Sequence, residues 1–436
     1  MGFLHEHIIL PISDLITGEH VHRYLRMLRQ ADDWSDFKLN NFQMEQLRKL
    51  VTFAAKEVPY YRDWFKQSGM KPQELDSLNA LTKLPIVDKA LMRSEGIDRF
   101  ASESFPKGQR LYSRSSGSTG EPFSYYESKL SHSVNAAAKL HTWYQAGYRM
   151  GNPYMKIAHG ARHGKMKKLQ DCINRCDYVP LYSIDDGTLK GILDRIEKIK
   201  PSFIRVYPTP LYHLALYRKD HPEYQFKPCH IMTTGSTLPD PYRKMIEHVF
   251  GCDVIDSYSC EGTPNVYETP AHDGYHVTQY YGIIEVLDSH DAPVLNGVGR
   301  VVSTDLWNFA HPFLRYDTQD LVEVRDGRIV QIMGRECETL EDANGGRYTI
   351  HNFVGFFQEE DRPIKQSVDA YQVVKRKDGS VNFRLVVNSQ YNTEIEQYII
   401  RYWQEKLNVP VHVEVVTEIP LMDNNKRLTI IHETAE

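Results

Sequence analysis

Between Asn152 and Ser257 short apolar runs alternate with longer amphipathic stretches. The runs at 154–158, 178–182, 203–207, 230–234 and 253–256 read as strands, rich in Val, Ile, Tyr and Thr and bounded by Gly, Pro or Asp. The stretches at 165–176, 188–200, 209–220 and 239–250 read as helices, with apolar residues on one face. This alternation predicts parallel βαβ units with helices on both faces of a sheet. Ligands of such sheets bind beyond the carboxyl ends of the strands. Thr234-Gly235-Ser236 and Ser257-Tyr258-Ser259 each follow a predicted strand, so they are expected on one rim.

The flanks have other textures. Residues 41–65 predict a helix with Phe42, Leu47, Leu50, Val51 and Ala54 inward, broken by Val58-Pro-Tyr-Tyr-Arg62. Pro85 keeps 81–87 extended. A helix is expected over 131–147, burying Val134, Ala137, Ala138, Leu140 and Trp143. After Gly274 come short β segments at 281–286, 299–303 and 321–324, and an Asp326-Gly327 turn joins the last to 328–332 as a hairpin. Beyond Gly334 lies a smaller α+β unit, with strands at 370–375, 381–387 and 411–416, a helix at 393–406 and a turn at 421–427. The expected fold is α/β: a large N-terminal domain (1–334) with a parallel βαβ sheet and a β-rich subdomain, then a small mobile α+β C-terminal domain (335–436). No internal repeat is visible.

Composition narrows the function classes. The chain has 436 residues, too many for one ordinary core, with 41% hydrophobic and 25% charged residues. A formal net charge of −5 without a basic block argues against nucleic acid as partner. No apolar run approaches the roughly 20 residues that span a bilayer, so no membrane partner is expected. The start lacks the basic region and cleavage site of a secretory signal, and the six cysteines include no CxxC pair. A cytoplasmic protein with reduced thiols is the expectation.

One stretch carries chemistry by itself: Tyr112-Ser-Arg-Ser-Ser-Gly-Ser-Thr-Gly-Glu-Pro122. The hydroxyls of Ser115, Ser116, Ser118 and Thr119 surround Gly117 and Gly120, between two strand-like runs. Glycines let a backbone approach a ligand closely, and successive free N–H groups form a concavity for anions. Ser/Gly-rich segments are more often plain linkers. This one is short and strand-flanked, which favours an anion loop. Glu121 after the last glycine separates it from the P-loop, which needs Gly-Lys-Ser/Thr there.

Further motifs follow in order: Thr234-Gly235-Ser236, Asp256-Ser-Tyr-Ser-Cys-Glu261, Val302-Ser-Thr-Asp-Leu306, Pro312-Phe-Leu-Arg-Tyr-Asp-Thr-Gln-Asp320, Gly334-Arg335 and Pro420-Leu-Met-Asp-Asn-Asn-Lys426. The ordered set resembles the adenylate-forming superfamily of acyl-CoA synthetases, luciferases and peptide-synthetase adenylation domains. Within it the chain is most similar to the phenylacetate–CoA ligase branch, including proteins of capsular polysaccharide biosynthesis. Val58-Pro-Tyr-Tyr-Arg62 and Leu84-Pro-Ile-Val-Asp-Lys89 also resemble that branch. The resemblance covers nearly the whole chain, and the 115–120 loop and the Arg315–Asp320 motif are its most specific parts.

The resemblance implies an ATP-dependent ligase. A carboxylate attacks the α-phosphate, pyrophosphate leaves, and an acyl acceptor, coenzyme A first among them, takes the acyl group. The alternative acceptor is an amine or hydroxyl; a third possibility is a nucleotide-binding scaffold without catalysis. By resemblance, Ser115, Ser116, Gly117, Ser118, Thr119 and Gly120 hold the pyrophosphate. Gly235, Ser236, Ser257 and Tyr258 line the adenine pocket, and Glu261 binds Mg²⁺. Asp320 accepts from the ribose hydroxyls, and Arg335 touches ribose or α-phosphate at the domain joint. Lys426 stabilises charge developing on the transferring oxygens. The partners implied are a small carboxylic acid and its acceptor, and the protein is a monomer or homodimer. Three positions depart from the family: Ser259 and Gln319 each stand where glycine is usual, and Asn425 precedes Lys426 in place of glycine.

Each residue has a plainer alternative. Asp320 can be a turn carboxylate, Glu261 and Lys426 surface charges, and Arg335 a joint cap. Cys260, His272 and His276 are zinc-type ligands, but their spacing matches no standard pattern and leaves zinc open. Cys172 and Cys176 at i and i+4 of a helix could share a site, with core thiols the leading expectation. His159-Gly-Ala-Arg-His163 follows a strand and is a candidate acyl or acceptor pocket wall.

Overall fold

A computed structural model describes residues 2–114, 124–159, 164–181, 184–224, 229–335, 338–342, 347–358, 363–419 and 429–433. The Asp36–Glu57 helix starts at Ser35, whose side chain accepts from the Lys38 N–H, and buries Leu47, Leu50, Val51 and Ala54. Val58 ends it in extended backbone. Pro59 then opens a second helix, Pro59–Ser68, in place of the expected break. Proline lacks only an N–H that the first turn leaves unused, so Val58-Pro59 is a corner between helices. Strands β1 (Arg110–Arg114) and β2 (Ser124–Ser128) pair antiparallel, and residues 115–123 between them lie outside the described residues. Ser128 caps the Lys129–Gln145 helix.

The alternating region forms a sheet. Its strands are β3 (Tyr154–His159), β4 (Cys176–Leu181), β5 (Phe203–Val206), β6 (His230–Thr234), β7 (Val254–Tyr258), β8 (Val266–Glu268) and β9 (Tyr275–Val277), in the order β4-β3-β5-β6-β7-β8-β9. The first five are parallel, as expected. β8 and β9 add an antiparallel end that the sequence reading did not anticipate, because links too short for a helix permit only antiparallel return. Cys176 opens β4 and does not share a helix with Cys172, since the Lys165–Ile173 helix has already ended.

The β-rich part is a four-stranded antiparallel sheet of β10 (Gly282–Leu287), β11 (Gly297–Asp305), β12 (Tyr316–Arg325) and β13 (Arg328–Arg335). Asp326 and Gly327 turn with φ of 49° and 74°, the left-handed pair that a two-residue hairpin needs. Beyond a short pair, β14 (Leu340–Glu341) and β15 (Arg347–Tyr348), comes a sheet of β16 (Val368–Lys375), β17 (Val381–Val387), β18 (Val411–Val415) and β19 (Ile430–His432), ordered β18-β17-β16-β19. It closes its own core around Phe353, Phe357, Phe383 and Trp403. The Ile350–Gln358 helix of this unit packs against the Asp240–Phe250 helix. Among the described residues no helix is long and apolar enough to cross a membrane.

Candidate active site

Gly235 and Ser236 are exposed at the carboxyl end of β6. Gly235 has φ +78°, and a Cβ there would stand 2.5 Å from the Tyr207 ring. Only glycine combines this backbone with so close an aromatic neighbour. Ser257 and Tyr258 sit beside them as the last two residues of β7, one step earlier than expected. Ser257 Oγ donates to the Thr233 carbonyl at 2.8 Å, which ties the two strand ends together.

Tyr258 reaches to the neighbouring antiparallel sheet. Its hydroxyl donates to Asp320 Oδ2 at 2.7 Å. Asp320 Oδ1 lies 3.3 Å from Arg335 Nε, its register partner across β12 and β13. Asp320 is therefore a buried residue inside a strand, and the plainer alternative of a solvated turn carboxylate falls. Burial raises its carboxyl; Arg335, the Tyr258 hydrogen bond and the Lys89 charge oppose that. The Tyr258 phenol is held well above its ordinary range by burial, then by the Asp320 charge. Each Asp320 oxygen keeps acceptor capacity for a ligand.

The other described candidates gather around this corner. A Cβ on Gly334 would stand 3.2 Å from the Thr237 hydroxyl, so the joint lies against the loop that follows Gly235. Glu261 follows Cys260, whose N–H is held by Thr263 Oγ1 at 2.8 Å. Its charge acts on Asp320 and on Tyr125 of β2. Tyr125 of strand β2 therefore lies near the same corner. Among the described residues the Glu261 carboxylate has no hydrogen bond or ion pair, which leaves it open to a hard cation.

The comparisons fit this geometry. No protein-family model matches the chain. It is 23% identical over 433 residues to Protein CapK of Staphylococcus aureus, covering 94% of this chain and 91% of that protein. It is 24% identical over 432 residues to a phenylacetate-coenzyme A ligase of Pseudomonas putida, covering 91% and 87%. A crystal structure of 2-hydroxyisobutyryl-CoA ligase, in the postadenylation state with R3-HIB-AMP, superposes with a TM-score of 0.70 at 17% identity, covering 90% of this chain and 89% of that one. Its curated relatives and its structural neighbours are adenylate-forming ligases and their kin, and the chain is similar to the phenylacetate–CoA ligase-like branch.

One departure from the resemblance becomes intelligible. Gln319 stands where glycine is usual and keeps the glycine conformation, with φ 60°. Its N–H donates to Asp317 Oδ1 at 2.8 Å, which helps to hold the bend. Ser115 to Gly120 and Lys426 lie outside the described residues, as do 160–163. The structure also adds residues to which the sequence reading gave no role. Val87 pairs with Tyr316, which sets Lys89 within the field of Asp320 and Cys260. Tyr207 closes on Gly235. Lys89 ended a quoted motif, and Tyr207 ended a predicted strand on the rim; both were visible signals.

Cys260, His272 and His276 do not form one ligand set. Cys260 is turned toward Tyr258, and His276 Nε2 pairs with Asp273 at 3.0 Å. Among the described residues the group with ligand atoms within 4.8 Å of one another is Glu247, Asp253 and His272.

Proposed function

We propose that the chain activates a carboxylic acid with ATP as an acyl-adenylate, releasing pyrophosphate, and passes the acyl group to coenzyme A. The observation that carries this reading is the Tyr258–Asp320–Arg335 corner, assembled from three separate motifs against the Gly235 loop. In this reading the exposed Gly235-Ser236 edge and Ser257 line the adenine pocket. Asp320, paired with Arg335 and oriented by Tyr258, accepts from the ribose hydroxyls. Arg335 lies at the joint, where its guanidinium can face ribose or α-phosphate.

Glu261 is the proposed ligand for Mg²⁺, whose charge, when bound, would screen the phosphate oxygens. Residues 115–120 hold the β- and γ-phosphates through backbone N–H groups and hydroxyls. Residues 335–436 act as a lid, with its own core, that carries Lys426 to the α-phosphate for the first step and withdraws it for the second. Gly334, at φ 102°, is the natural pivot.

Incubation with ATP, Mg²⁺, hydroxylamine and a panel of carboxylic acids tests the reading. Acid-dependent pyrophosphate and an acyl hydroxamate are expected, with a thioester when coenzyme A replaces hydroxylamine. No pyrophosphate from any acid would overturn the activation step. Product with an amine but none with coenzyme A would overturn the acceptor.

A further inference from the structure

β5 is a central strand of a sheet covered on both faces, where near-continuous apolar sequence is the rule. It breaks the rule at Arg205. Ile204 and Val206 point into one core, with Leu193 and Leu214, whereas Phe203 belongs to the other, with Met232 and Ile255. Alternation puts Arg205 on the Phe203 face, in register beside Lys156 of β3 and Met232 of β6. The Lys129–Gln145 helix covers this face. Asn135, Lys139 and Trp143 form a stripe at i, i+4 and i+8. Trp143 rests on Phe203 with ring centroids 5.5 Å apart, and Asn135 donates to the Tyr281 hydroxyl at 3.0 Å. Lys139, between them, stands over the next position up the strand, which is Arg205.

Two cations thus face each other between a helix and a sheet. Burial and then the Arg205 charge hold the Lys139 ammonium below its usual range. Burial also lowers Arg205, on which only the tyrosines Tyr207, Tyr154 and Tyr178 act favourably. Among the described residues neither cation has a hydrogen bond or an ion pair. Yet Lys139 remains open to solvent and Arg205 is only half-buried, so both line a recess and not a sealed core. Glu127 and Glu261 are the charges that favour the Lys139 ammonium, whereas only tyrosines act on Arg205, so the guanidinium beside it has room for a counter-charge.

The recess opens on the site. Arg205 lies two residues, about 7 Å of strand, below Tyr207, which closes on Gly235 at the rim. Lys139 lies within the field of Glu261. A carboxylic acid whose reacting group sits at the rim would extend its tail into the space between Lys139 and Arg205.

We propose that Lys139 and Arg205 bind a second anionic group on the acid that is activated, so that the substrates are dianionic acids, dicarboxylates first among them. This rests on the ligase reading above and names its substrate class. The carboxylate or phosphate end of the acyl chain would accept from both cations, with the guanidinium plane offering a paired fork.

The test uses acids matched in length: adipate against hexanoate, glutarate against pentanoate, and 4-carboxyphenylacetate against 4-methylphenylacetate. Binding is read by thermal shift and calorimetry on the full chain, and activation by pyrophosphate release. The dianionic member of each pair should bind at least tenfold more tightly, and K139M and R205M should each abolish that preference. The unliganded variants should melt at or above the wild-type temperature, which separates a binding role from a structural one, and R205K should restore part of the preference. Equal affinity within the pairs, or variants that weaken both members alike, would overturn the proposal. So would stabilisation by inorganic phosphate without preference between the paired acids. If adipate stabilises the wild type but not R205M and no acid releases pyrophosphate, the anion site stands and the ligase reading falls. If hexanoate is activated and adipate is not, the ligase reading stands and the anion site falls.

Discussion

Arg315 and Arg205 are both arginines set among apolar residues at the edge of a strand or within one, and they have opposite surroundings. Arg315 is 3% exposed and fully engaged. Its Nε and Nη2 each donate to a Glu285 oxygen at 3.0 Å, and Nη1 donates to the Leu84 carbonyl at 2.9 Å. It fastens the 84–87 segment to the antiparallel sheet and leaves nothing for a ligand. Arg205 keeps all its donors free among the described residues. Position in a strand does not separate scaffold from site; the presence of an internal counter-charge does. The same division runs through the rim, where the Arg335–Asp320 pair is satisfied and the Glu261 carboxylate is open.

The largest effect should come from breaking the scaffold pair. Arg315→Met leaves Glu285 largely buried without a partner, and about 3–5 kcal/mol of stability should be lost in urea unfolding. Arg205→Met should lose none. Equal losses would collapse the distinction.

Asp256 tests the paired side through pH. Burial, then the Glu268 charge, push its carboxyl up to about 7, despite donors from Thr233 at 2.5 Å and Tyr275 at 2.8 Å. The folded protein therefore holds a proton that an unfolded Asp releases near pH 4. The stability this gives is complete below about pH 4 and is lost as pH rises to about 7. Asp305, also pushed up to about 7 by burial, adds a second such contribution. Asp256→Asn should remove roughly 2–4 kcal/mol of that pH-dependent loss, read from unfolding curves between pH 4 and 8. An unchanged slope would place the titration elsewhere.

On the site side, Asp320→Asn should slow acid-dependent pyrophosphate release about a hundredfold, close to 3 kcal/mol in the barrier, while the protein stays folded. Loss within tenfold would mean that Asp320 serves the Tyr258–Arg335 contact alone.

The parallel sheet was legible because strands such as β5 and β6 are short apolar runs between helices with clear periodicity. β8 and β9 were not: three residues each, with Glu268 and His276 among them, carry no period. The rim was placed by the strand ends, but the corner was not. Tyr258 and Asp320 meet across 62 positions, and local composition alone left Asp320 open to a plainer turn reading. Only the ordered motifs brought it into the site. Lys139 and Arg205 escaped for a related reason. One cation in a strand reads as an outward residue until a helix is known to cover that face.

The smallest effect concerns Gln319. A side chain at φ 60° costs on the order of 1 kcal/mol relative to glycine, since its Cβ crowds the adjoining carbonyl. The Asp317 contact to its N–H uses backbone, so glycine keeps it. Gln319→Gly should therefore raise stability by about 1 kcal/mol, reduced by whatever unfolded-chain entropy glycine adds. Because Gln319 is exposed and next to Asp320, the substitution also asks whether the side chain itself is used. A variant that is more stable and equally active would make Gln319 a tolerated strain. A variant that is more stable but has a raised KM for ATP would make it, like Arg205, a residue kept for what it binds.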